Sequence, residues 1–299
     1  MSLLPLHDRD GYIWTNGALV PWRDANVHVL SHGLHYASAV FDGVRIYDGI
    51  PFKLGEHCQR LIDSAAMIGL QVLYSASELV DGALRAVAAN NVANGYMRPV
   101  AWRGSEQLEI GGLLTTSHVA IACWEYGAYF SAADEDRGLR LSWSKWRRPS
   151  PDAAPYAAKA AGLYVICTMA KREAEAAGYD DAVMLDQQGA LAEVTAANIF
   201  LVRDGVLLTP KPDCFLDGIT RQTVIELAPT LGLRVEQRKI FPEELAQADE
   251  VFVTGTAAEI VPVSELGGHH WPVGPVTRRI RSAYRELVRS GSHPAVIAA

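Results

Sequence analysis

Hydrophobic residues alternate with polar ones along several short stretches in the first half of the chain. The runs at 12–15 and 18–20 flank Asn16-Gly17, a dipeptide that strongly favours a tight β-hairpin. Longer runs at Gly95–Arg103 and 117–123 predict two more strands. We predict a further single strand over 39–47, which turns at Asp48-Gly49 into a short strand at 50–54.

Apolar residues repeat at helical spacing in two segments between these strands. Leu61, Ala65 and Ile68 form one stripe of a predicted helix over 55–70. A second predicted helix begins at Ser75, where Ser75 and Glu78 have the spacing of a capping box. Strands and helices therefore interleave, which predicts an α/β domain.

The same two periodicities continue in the second half of the chain and predict another α/β unit. Strands are predicted at 139–146, 182–186, 198–202 and on both sides of a turn at Gly255. Helices are predicted from the Lys159 segment to Gly178, over 222–231, and from Pro275 onward, with Ile280, Tyr284 and Leu287 facing inward.

The segment 126–137 has no periodicity and separates the two halves. It passes from aromatic and glycine residues into a charged run, a composition typical of an interdomain linker. A chain of 299 residues also exceeds the usual size of one domain. We therefore predict a smaller N-terminal α/β domain over 1–125 and a larger C-terminal domain over 138–299 that carries Lys159.

Composition argues against several classes of function. The formal net charge of −7 disfavours nucleic acid as a partner, because phosphate binding needs a basic face. The first ten residues lack the pattern of a signal peptide, and no apolar run reaches the roughly 18 residues that a membrane helix needs. The four cysteines are scattered, which favours free thiols in a reducing compartment. We therefore expect a cytoplasmic protein that binds no membrane.

Lys159 is the candidate nucleophile. It lies in the run Tyr156-Ala-Ala-Lys-Ala-Ala-Gly162, whose small side chains would let a planar cofactor approach and would shield an amine from water. Desolvation lowers the pKa of a lysine, and a nucleophilic lysine must be neutral for part of the time. The alternative is an ordinary solvated lysine that opens a helix, and the run by itself leaves both interpretations open.

Four other features could bind an anion or a charged ring. Glu193 is an isolated acid among small and apolar residues, and Arg60 adjoins an apolar helix stripe. Gly218-Ile219-Thr220 opens a helix and Gly255-Thr256-Ala257 lies at a tight turn, so both offer backbone N–H groups and a hydroxyl. Each feature has an ordinary alternative: a surface acid, an arginine that reaches solvent, or a helix end without a ligand. His32 and His35 have no carboxylate or cysteine at ligand spacing, so we expect no metal.

These features together match one cofactor. Pyridoxal phosphate carries an aldehyde that condenses with a lysine, a ring nitrogen that pairs with an acid, and a phosphate that needs N–H groups, hydroxyls and an arginine. The combination is much more specific than any one of its members.

The surrounding motifs resemble the fold-type IV pyridoxal-phosphate family and, within it, the branched-chain amino acid aminotransferases. The matching segments are Ser31-His-Gly-Leu-His-Tyr-Ala-Ser-Ala-Val-Phe-Asp-Gly-Val-Arg45, His57-Cys-Gln-Arg-Leu61, Tyr96-Met-Arg-Pro99, Lys159-Ala-Ala-Gly-Leu-Tyr164, Gly218-Ile-Thr-Arg221 and Gly255-Thr-Ala-Ala-Glu259. The resemblance implies a two-domain α/β fold, a homodimer that can assemble further, and transamination. Leucine, isoleucine and valine would be the donors and 2-oxoglutarate the acceptor.

The resemblance also implies a role for each site residue. Lys159 would be the catalytic lysine, bonding the cofactor aldehyde and carrying protons, and Glu193 would pair with the pyridine nitrogen. The other cofactor-binding residues would be Arg60, Tyr164, Ile219, Thr220 and Thr256. The substrate would contact Phe41, Gly43, Tyr96, Arg98, Ala257 and Ala258, with Arg98 receiving the second carboxylate of glutamate.

Two segments depart from the family pattern. Val194-Thr-Ala-Ala-Asn198 replaces a glycine-rich run, and its Thr195 offers a hydroxyl that makes it a further candidate for cofactor binding. The segment 104–112 replaces the usual Gly-Val-Asn-Pro-like loop and carries two acids. Because such loops form the substrate pocket, a D-amino-acid or (R)-amine aminotransferase is the alternative function. A pyridoxal-phosphate lyase and a non-catalytic protein of the same fold follow it.

Overall fold

The computed structural model describes residues 5–127 and 129–291, and their contacts form two compact units. Unit 1 contains residues 5–127, Ala158–Gly162 and Gly291. Unit 2 contains residues 129–157 and Leu163–Ser290. The Lys159 segment therefore groups with unit 1, whereas the sequence assigned it to the C-terminal domain.

Three short parts of the predicted organisation lie outside the described residues. They are the first four positions of the N-terminal segment, Ala128 in the predicted linker, and 292–299 at the end of the predicted C-terminal domain.

The described residues contain seven α-helices and sixteen strands. The helices are α1 (His32–Tyr36), α2 (Leu54–Met67), α3 (Ala76–Asn90), α4 (Ala132–Arg137), α5 (Tyr164–Ala176), α6 (Ile219–Leu227) and α7 (Pro275–Arg289). The strands of unit 1 are β1 (Tyr12–Thr15), β2 (Ala18–Pro21), β3 (Ala39–Phe41), β4 (Val44–Tyr47), β5 (Ile50–Pro51), β6 (Gly95–Arg103) and β7 (Ser117–Glu125). Those of unit 2 are β8 (Leu139–Trp143), β9 (Asp181–Leu185), β10 (Leu191–Val194), β11 (Asn198–Arg203), β12 (Val206–Pro210), β13 (Arg234–Arg238), β14 (Glu250–Gly255), β15 (Glu259–Leu266) and β16 (His269–His270). This mixture of helices and strands confirms the predicted α/β class.

Unit 1 is built on an antiparallel sheet in the order β2-β1-β7-β6-β4-β5, with β3 also beside β6. The predicted hairpin is confirmed, since β1 and β2 pair across Asn16-Gly17. Helix α3 packs against β1 and β7. Its predicted capping box is also present, with the amide of Glu78 donating to Ser75 Oγ at 3.3 Å.

The prediction of a single strand over 39–47 is wrong in one respect, because the observed strand is interrupted at Asp42-Gly43. Strands β3 and β4 both pair with β6, and the two residues between them belong to neither strand. The amide of Asp42 still donates to the Pro99 carbonyl at 2.9 Å, while its carboxylate turns toward α2. Hydrophobic alternation cannot reveal such a break, since the cause is a buried ion pair with a distant helix.

Unit 2 is built on a mixed sheet in the order β10-β9-β8-β15-β14-β11-β12-β13, with β16 beside β15. Strand β8 is parallel to β9 and β15, and β12 is parallel to β13. The core of the unit includes Leu139, Val183, Ile199, Val253 and Val261. The strands predicted at 182–186, 198–202 and beside Gly255 are confirmed, and that at 139–146 ends earlier, at Trp143. Strands β10 and β12 escaped prediction because they are short and lack a clear alternation.

Two segments of unit 2 differ from the expected boundaries. The predicted linker over 126–137 contains α4, which begins with a capping box formed by Ser131 and Asp134. The helix predicted over 222–231 begins earlier, at Ile219, and continues as a 3-10 helix from Ala228. Pro229 lacks an N–H donor, which accounts for this change of helix type.

The inward face of the last helix, α7, differs from the prediction at one position. Ile280 and Tyr284 are buried, but Val288 is buried where Leu287 was expected, and Leu287 is only partly buried. Across the described ranges, no helix combines the length and apolarity needed to span a membrane. All four cysteines are buried free thiols.

Candidate active site

Lys159 lies in unit 1 and is held by backbone contacts on both sides. Its amide donates to Ser64 Oγ at 3.0 Å, and its carbonyl accepts from the Phe41 amide at 3.1 Å. The Nζ lies 5.2 Å from the centre of the Phe41 ring. The residue keeps some exposed surface, yet desolvation lowers the pKa of its amine to about 8, and the positive charge of Arg60 adds to this effect. An amine with this pKa is neutral for part of the time near pH 7, as a nucleophile must be.

Arg60, the predicted phosphate ligand on α2, pairs with Asp42 at the strand break. The guanidinium donates through Nε to Oδ2 at 2.8 Å and through Nη2 to Oδ1 at 2.7 Å. Burial by itself raises the pKa of Asp42, but Arg60 and then His57 outweigh it and hold the pKa well below its usual range. Asp42 is therefore a permanent anion at neutral pH.

His57 completes this group from the same face of α2. Its Nδ1 lies 2.8 Å from Asp42 Oδ1. Burial lowers the pKa of His57 even though Asp42 opposes the shift. The ring is therefore neutral at pH 7, and we assign its proton to Nδ1 because the carboxylate can only accept.

Phe41, Tyr96 and Arg98 form a cluster beside Lys159. The guanidinium carbon of Arg98 lies 4.8 Å from the centre of the Phe41 ring and 5.4 Å from that of Tyr96. The Nε of Arg98 is buried and has no hydrogen-bond partner among the described residues. Arg60 and Arg98 both lower the pKa of Lys159, while Asp42 opposes them. The positive charges of Arg60 and Arg98 beside Lys159 make this part of unit 1 suited to anionic ligand groups.

Gly43 is required by its neighbour Tyr96. A Cβ at position 43 would overlap the Tyr96 hydroxyl and would lie 2.7 Å from the ring carbon Cζ. Six predicted site residues are thus brought together in unit 1: Phe41, Gly43, Arg60, Tyr96, Arg98 and Lys159.

Glu193 lies in unit 2 on β10 and is 8 % exposed. Its Oε1 lies 3.2 Å from the Nε of Arg148, which is 5 % exposed. Burial disfavours the charged guanidinium, but Glu193 together with Cys167, Tyr164 and Cys214 outweighs this effect, and the pKa of Arg148 is raised. The pair therefore places a carboxylate beside a guanidinium in a buried position, a setting that suits a protonated pyridine nitrogen.

Two further predicted residues lie close to this pair. Tyr164 is the first residue of α5, and its phenol is among the groups that influence Arg148. Thr195 directly follows β10, and its hydroxyl donates to Asp181 Oδ1 at 2.7 Å. The donor of Thr195 is therefore occupied, and only its oxygen lone pairs remain for another partner.

The predicted anion site at Gly218 lies where α6 begins. No side chain of the described residues caps this N-terminus, so the amides of Ile219 and Thr220 point along the positive end of the helix dipole. A Cβ at position 218 would overlap the amide oxygen of Asn198, whose Nδ2 donates to the Leu216 carbonyl at 3.0 Å. Glycine therefore allows β11 and the start of α6 to approach each other closely.

The second predicted anion site is a three-residue turn formed by Thr256, Ala257 and Ala258. It joins β14 to β15, and Gly255 pairs with Glu259 at its base. A Cβ at position 255 would lie 3.2 Å from the Ala196 carbonyl, so the turn lies against the segment that follows Glu193. The two predicted anion sites of unit 2 thus both lie against residues at the start of β11.

Sequence reasoning missed Asp42, His57, Ser64 and Arg148. Asp42 is an acid within an apolar run, the same signal that identified Glu193, and this signal could have found it. Arg148 follows Arg147 in the sequence, and the pair looks like a solvated basic cluster. Nothing in the local pattern distinguishes the buried arginine from the exposed one.

The two units offer complementary chemistry. Unit 1 supplies an amine of lowered pKa among cations, and unit 2 supplies a buried carboxylate and two backbone anion sites. Within the ranges that the structure describes, no group of three histidine, cysteine or acidic side chains could hold a metal ion.

Known proteins match the chain over nearly its whole length. The branched-chain-amino-acid aminotransferase of Pseudomonas aeruginosa is 40% identical over 292 residues, covering 95% of each chain. The solved structure of the branched-chain aminotransferase from Thermoproteus uzoniensis with norvaline has a TM-score of 0.89 at 40% identity, covering 94% of this chain and 95% of that one. The branched-chain amino acid aminotransferase from Thermobaculum terrenum, solved in its PLP-form, has a TM-score of 0.85 at 33% identity, with coverage of 93% and 94%.

The family described as amino-transferase class IV matches residues 39–266. This range runs from the start of β3 to the end of β15 and contains every predicted site residue. The resemblance drawn from the motifs and the expected fold-type IV architecture are both confirmed. The chain belongs to the class IV aminotransferase family.

Proposed function

We propose that this aminotransferase uses pyridoxal phosphate to transfer the amino group of leucine, isoleucine or valine to 2-oxoglutarate, giving branched-chain 2-oxo acids and L-glutamate. Lys159 carries the proposal, because its amine has a pKa of about 8 and lies among cations that suit anionic ligands. The relatives support it: one is named a branched-chain-amino-acid aminotransferase, and the Thermobaculum terrenum enzyme was solved in its PLP-form.

The residues of this chain fit the cofactor. When bound, pyridoxal phosphate supplies an aldehyde that accepts the amine and a ring that withdraws electrons from the substrate α-carbon. Lys159 would hold the aldehyde, and its Nζ would carry the proton taken from the substrate α-carbon. Glu193, paired with Arg148, would face the pyridine nitrogen and keep it protonated. Tyr164 would donate to the phenolic oxygen of the ring.

The phosphate would be bound by backbone amides and side chains of both predicted anion sites. Ile219 and Thr220 offer amides at the start of α6, and Thr256 offers its hydroxyl. Arg60 would add its guanidinium, which pairs with the Asp42 carboxylate. Thr195 contributes an oxygen acceptor at most, because it donates to Asp181.

Substrate recognition must accept both an apolar side chain and the second carboxylate of glutamate. Phe41 and Tyr96 offer aromatic surface for the first, with Gly43 leaving room for the Tyr96 hydroxyl. The buried Nε of Arg98, which no described residue binds, offers a charged donor for the second. Ala257 and Ala258 leave the turn free of bulky side chains.

A homodimer is the proposed assembly, and an exposed apolar surface on unit 1 supports it. This surface, here called the loop surface, comprises Val27, Val29, Leu30, Leu34, Tyr36, Leu108, Ile110, Leu113 and Leu114, all exposed. Its two segments are joined by the Tyr36 hydroxyl, which donates to the Leu108 carbonyl at 3.2 Å. Patches of this kind mark interaction sites. The four buried free thiols support a cytoplasmic location.

Half-reactions with single amines test the proposal. The purified enzyme is mixed separately with L-leucine, D-alanine and (R)-phenylethylamine, and the cofactor absorbance is followed from its aldehyde form to its amine form. We expect conversion with L-leucine alone, followed by recovery of the aldehyde form when 2-oxoglutarate is added.

The same experiment decides between the proposal and its alternative. Conversion by D-alanine or (R)-phenylethylamine without conversion by L-leucine would assign the D-amino-acid or (R)-amine activity suggested by the unusual 104–112 segment. Lys159→Ala is the control variant, since it removes the amine that bonds the cofactor. Normal turnover by Lys159→Ala would refute the assigned role of Lys159.

A further inference from the structure

Two buried polar residues of unit 1 have no role in the function proposed above. Asp42 has no exposed surface and His57 is 1 % exposed. Burying a carboxylate costs free energy unless it is paired and hydrogen-bonded. Both residues lie beside Arg60, a proposed ligand of the cofactor phosphate.

The contacts of Asp42 immobilise the Arg60 guanidinium. Its two carboxylate oxygens accept from Nε and Nη2 of Arg60 at 2.8 and 2.7 Å, an arrangement that fixes the plane of the guanidinium. On the other side, His57 Nδ1 binds Oδ1 at 2.8 Å. His57 and Arg60 are three residues apart on α2, so one carboxylate spans both side chains.

The backbone on either side of Asp42 fixes the carboxylate in turn. The Gly43 amide donates to Oδ1 at 2.7 Å, and the Asp42 amide donates to the Pro99 carbonyl at 2.9 Å. The preceding residue, Phe41, donates its amide to the Lys159 carbonyl at 3.1 Å. The strand break therefore ties Arg60 to the backbone that holds the catalytic lysine.

We propose that Asp42 is a positioning residue whose carboxylate, held by His57, fixes Arg60 in the orientation that receives the cofactor phosphate. The inference rests on the proposed function, because it needs the phosphate of that cofactor. A long arginine side chain that is already fixed loses less conformational freedom when it binds an anion. Asp42 thus strengthens phosphate binding without touching the phosphate.

The test compares two ligands that differ only in the phosphate group. The full-length chain, freed of cofactor by dialysis, is titrated with pyridoxal phosphate and with pyridoxal, and both Kd values are measured by absorbance. Asp42→Asn keeps the size of the side chain and removes its charge. We expect the Kd for pyridoxal phosphate to rise by about 10- to 100-fold, as when the outer partner of a binding residue is lost, and the Kd for pyridoxal by less than about threefold.

Asp63→Asn is the matched control, because it makes the same chemical change on the same helix. Asp63 is exposed and accepts from Gln59 Nε2 at 2.9 Å. In Asp63→Asn, the Kd values for pyridoxal phosphate and for pyridoxal should both equal those of the unmodified protein. In the Arg60→Gln variant, adding Asp42→Asn should raise the Kd for pyridoxal phosphate little further. The effects of two substitutions that act through one contact are not additive.

A second matched pair covers a failure of Asp42→Asn to fold. Asp42→Glu and Asp42→Gln are equal in size and differ in charge, and the Gln variant should lose about tenfold more of the preference for the phosphorylated ligand. Equal weakening of both ligands, or additive losses with Arg60→Gln, would overturn the positioning role. If the unmodified enzyme itself showed no preference for pyridoxal phosphate, the cofactor assignment would fail instead.

Discussion

The Nζ of Lys159 experiences opposing influences from its neighbours. Desolvation and the charge of Arg60 lower the pKa, whereas Asp42 raises it, and the result is a value of about 8. A strong ion pair would have kept the amine protonated and unreactive. Because Asp42 binds Arg60 directly, its charge is largely committed to the guanidinium, and the lysine remains available as a base.

The lowered pKa predicts unusual reactivity of Lys159 in the absence of cofactor. The neutral fraction of an amine grows as pH rises through its pKa, so labelling of Lys159 should reach half its maximal rate near pH 8. At pH 7 its neutral fraction should be on the order of 10²-fold greater than that of an ordinary exposed lysine. The measurement is acetylation by trace acetic anhydride across pH 6 to 11, quantified by peptide mass spectrometry.

Lys159→Arg provides the control for this experiment, since it keeps a cation and removes the amine. The labelled peptide should disappear in that variant. A labelling midpoint for Lys159 above pH 10 would contradict the desolvated environment described for it.

At the scale of elements, α3 and β1 of unit 1 approach closely through a glycine. A Cβ at Gly82 in α3 would lie 2.6 Å from the Trp14 ring, and Trp14 is 2 % exposed. Replacing glycine by alanine inside a helix normally adds about 1 kcal/mol of stability. Here the ring is packed on all sides and cannot give way.

We therefore expect Gly82→Ala to destabilise the protein. Overpacking of a buried site typically costs about 1–3 kcal/mol, which outweighs the gain in helix propensity. The measurement is urea unfolding followed by circular dichroism, with the exposed Arg85→Ala on the same helix as the control. The control should change the free energy of unfolding by less than about 0.5 kcal/mol. A more stable Gly82→Ala variant would show that α3 can move away from β1.

Sequence reasoning succeeded where the deciding contacts are local. The hairpin at Asn16-Gly17 and the capping box at Ser75 depend on residues within a few positions of each other, and both are present. The break at Asp42 depends on Arg60, 18 positions away, and the burial of Arg148 depends on Glu193 in a separate strand. Periodicity carries no information about such distant ion pairs.

The candidate site shows the same division. The motifs identified Lys159, Arg60 and Glu193, whose chemistry can be read from residue type and neighbours. They did not identify the residues that orient these groups, because an orienting role is visible only when the partners are seen in contact.

At the scale of the whole molecule, the homodimer proposal predicts that the loop surface is covered. Leu34 belongs to this surface and is 67% exposed, while Leu73 lies elsewhere on unit 1 and is 66% exposed. Leu34→Arg should weaken association, because it places a charge where apolar contact is needed. Leu73→Arg makes the same change at equal exposure and should leave association intact.

Light scattering after gel filtration measures this difference. The unmodified protein and Leu73→Arg should have twice the chain mass of 32.5 kDa, and Leu34→Arg should shift toward the single-chain mass at low concentration. An unmodified protein that eluted at 32.5 kDa would exclude the dimer.

The close contact between Gly43 and Tyr96 constrains how this enzyme can be re-engineered or can diverge. Any side chain at position 43 meets the tyrosine hydroxyl, so a mutant library at that position alone would contain few functional members. A smaller residue at 96 removes the obstacle and makes position 43 permissive. The two positions are therefore coupled: a side chain at position 43 requires the tyrosine at position 96 either to move or to be replaced.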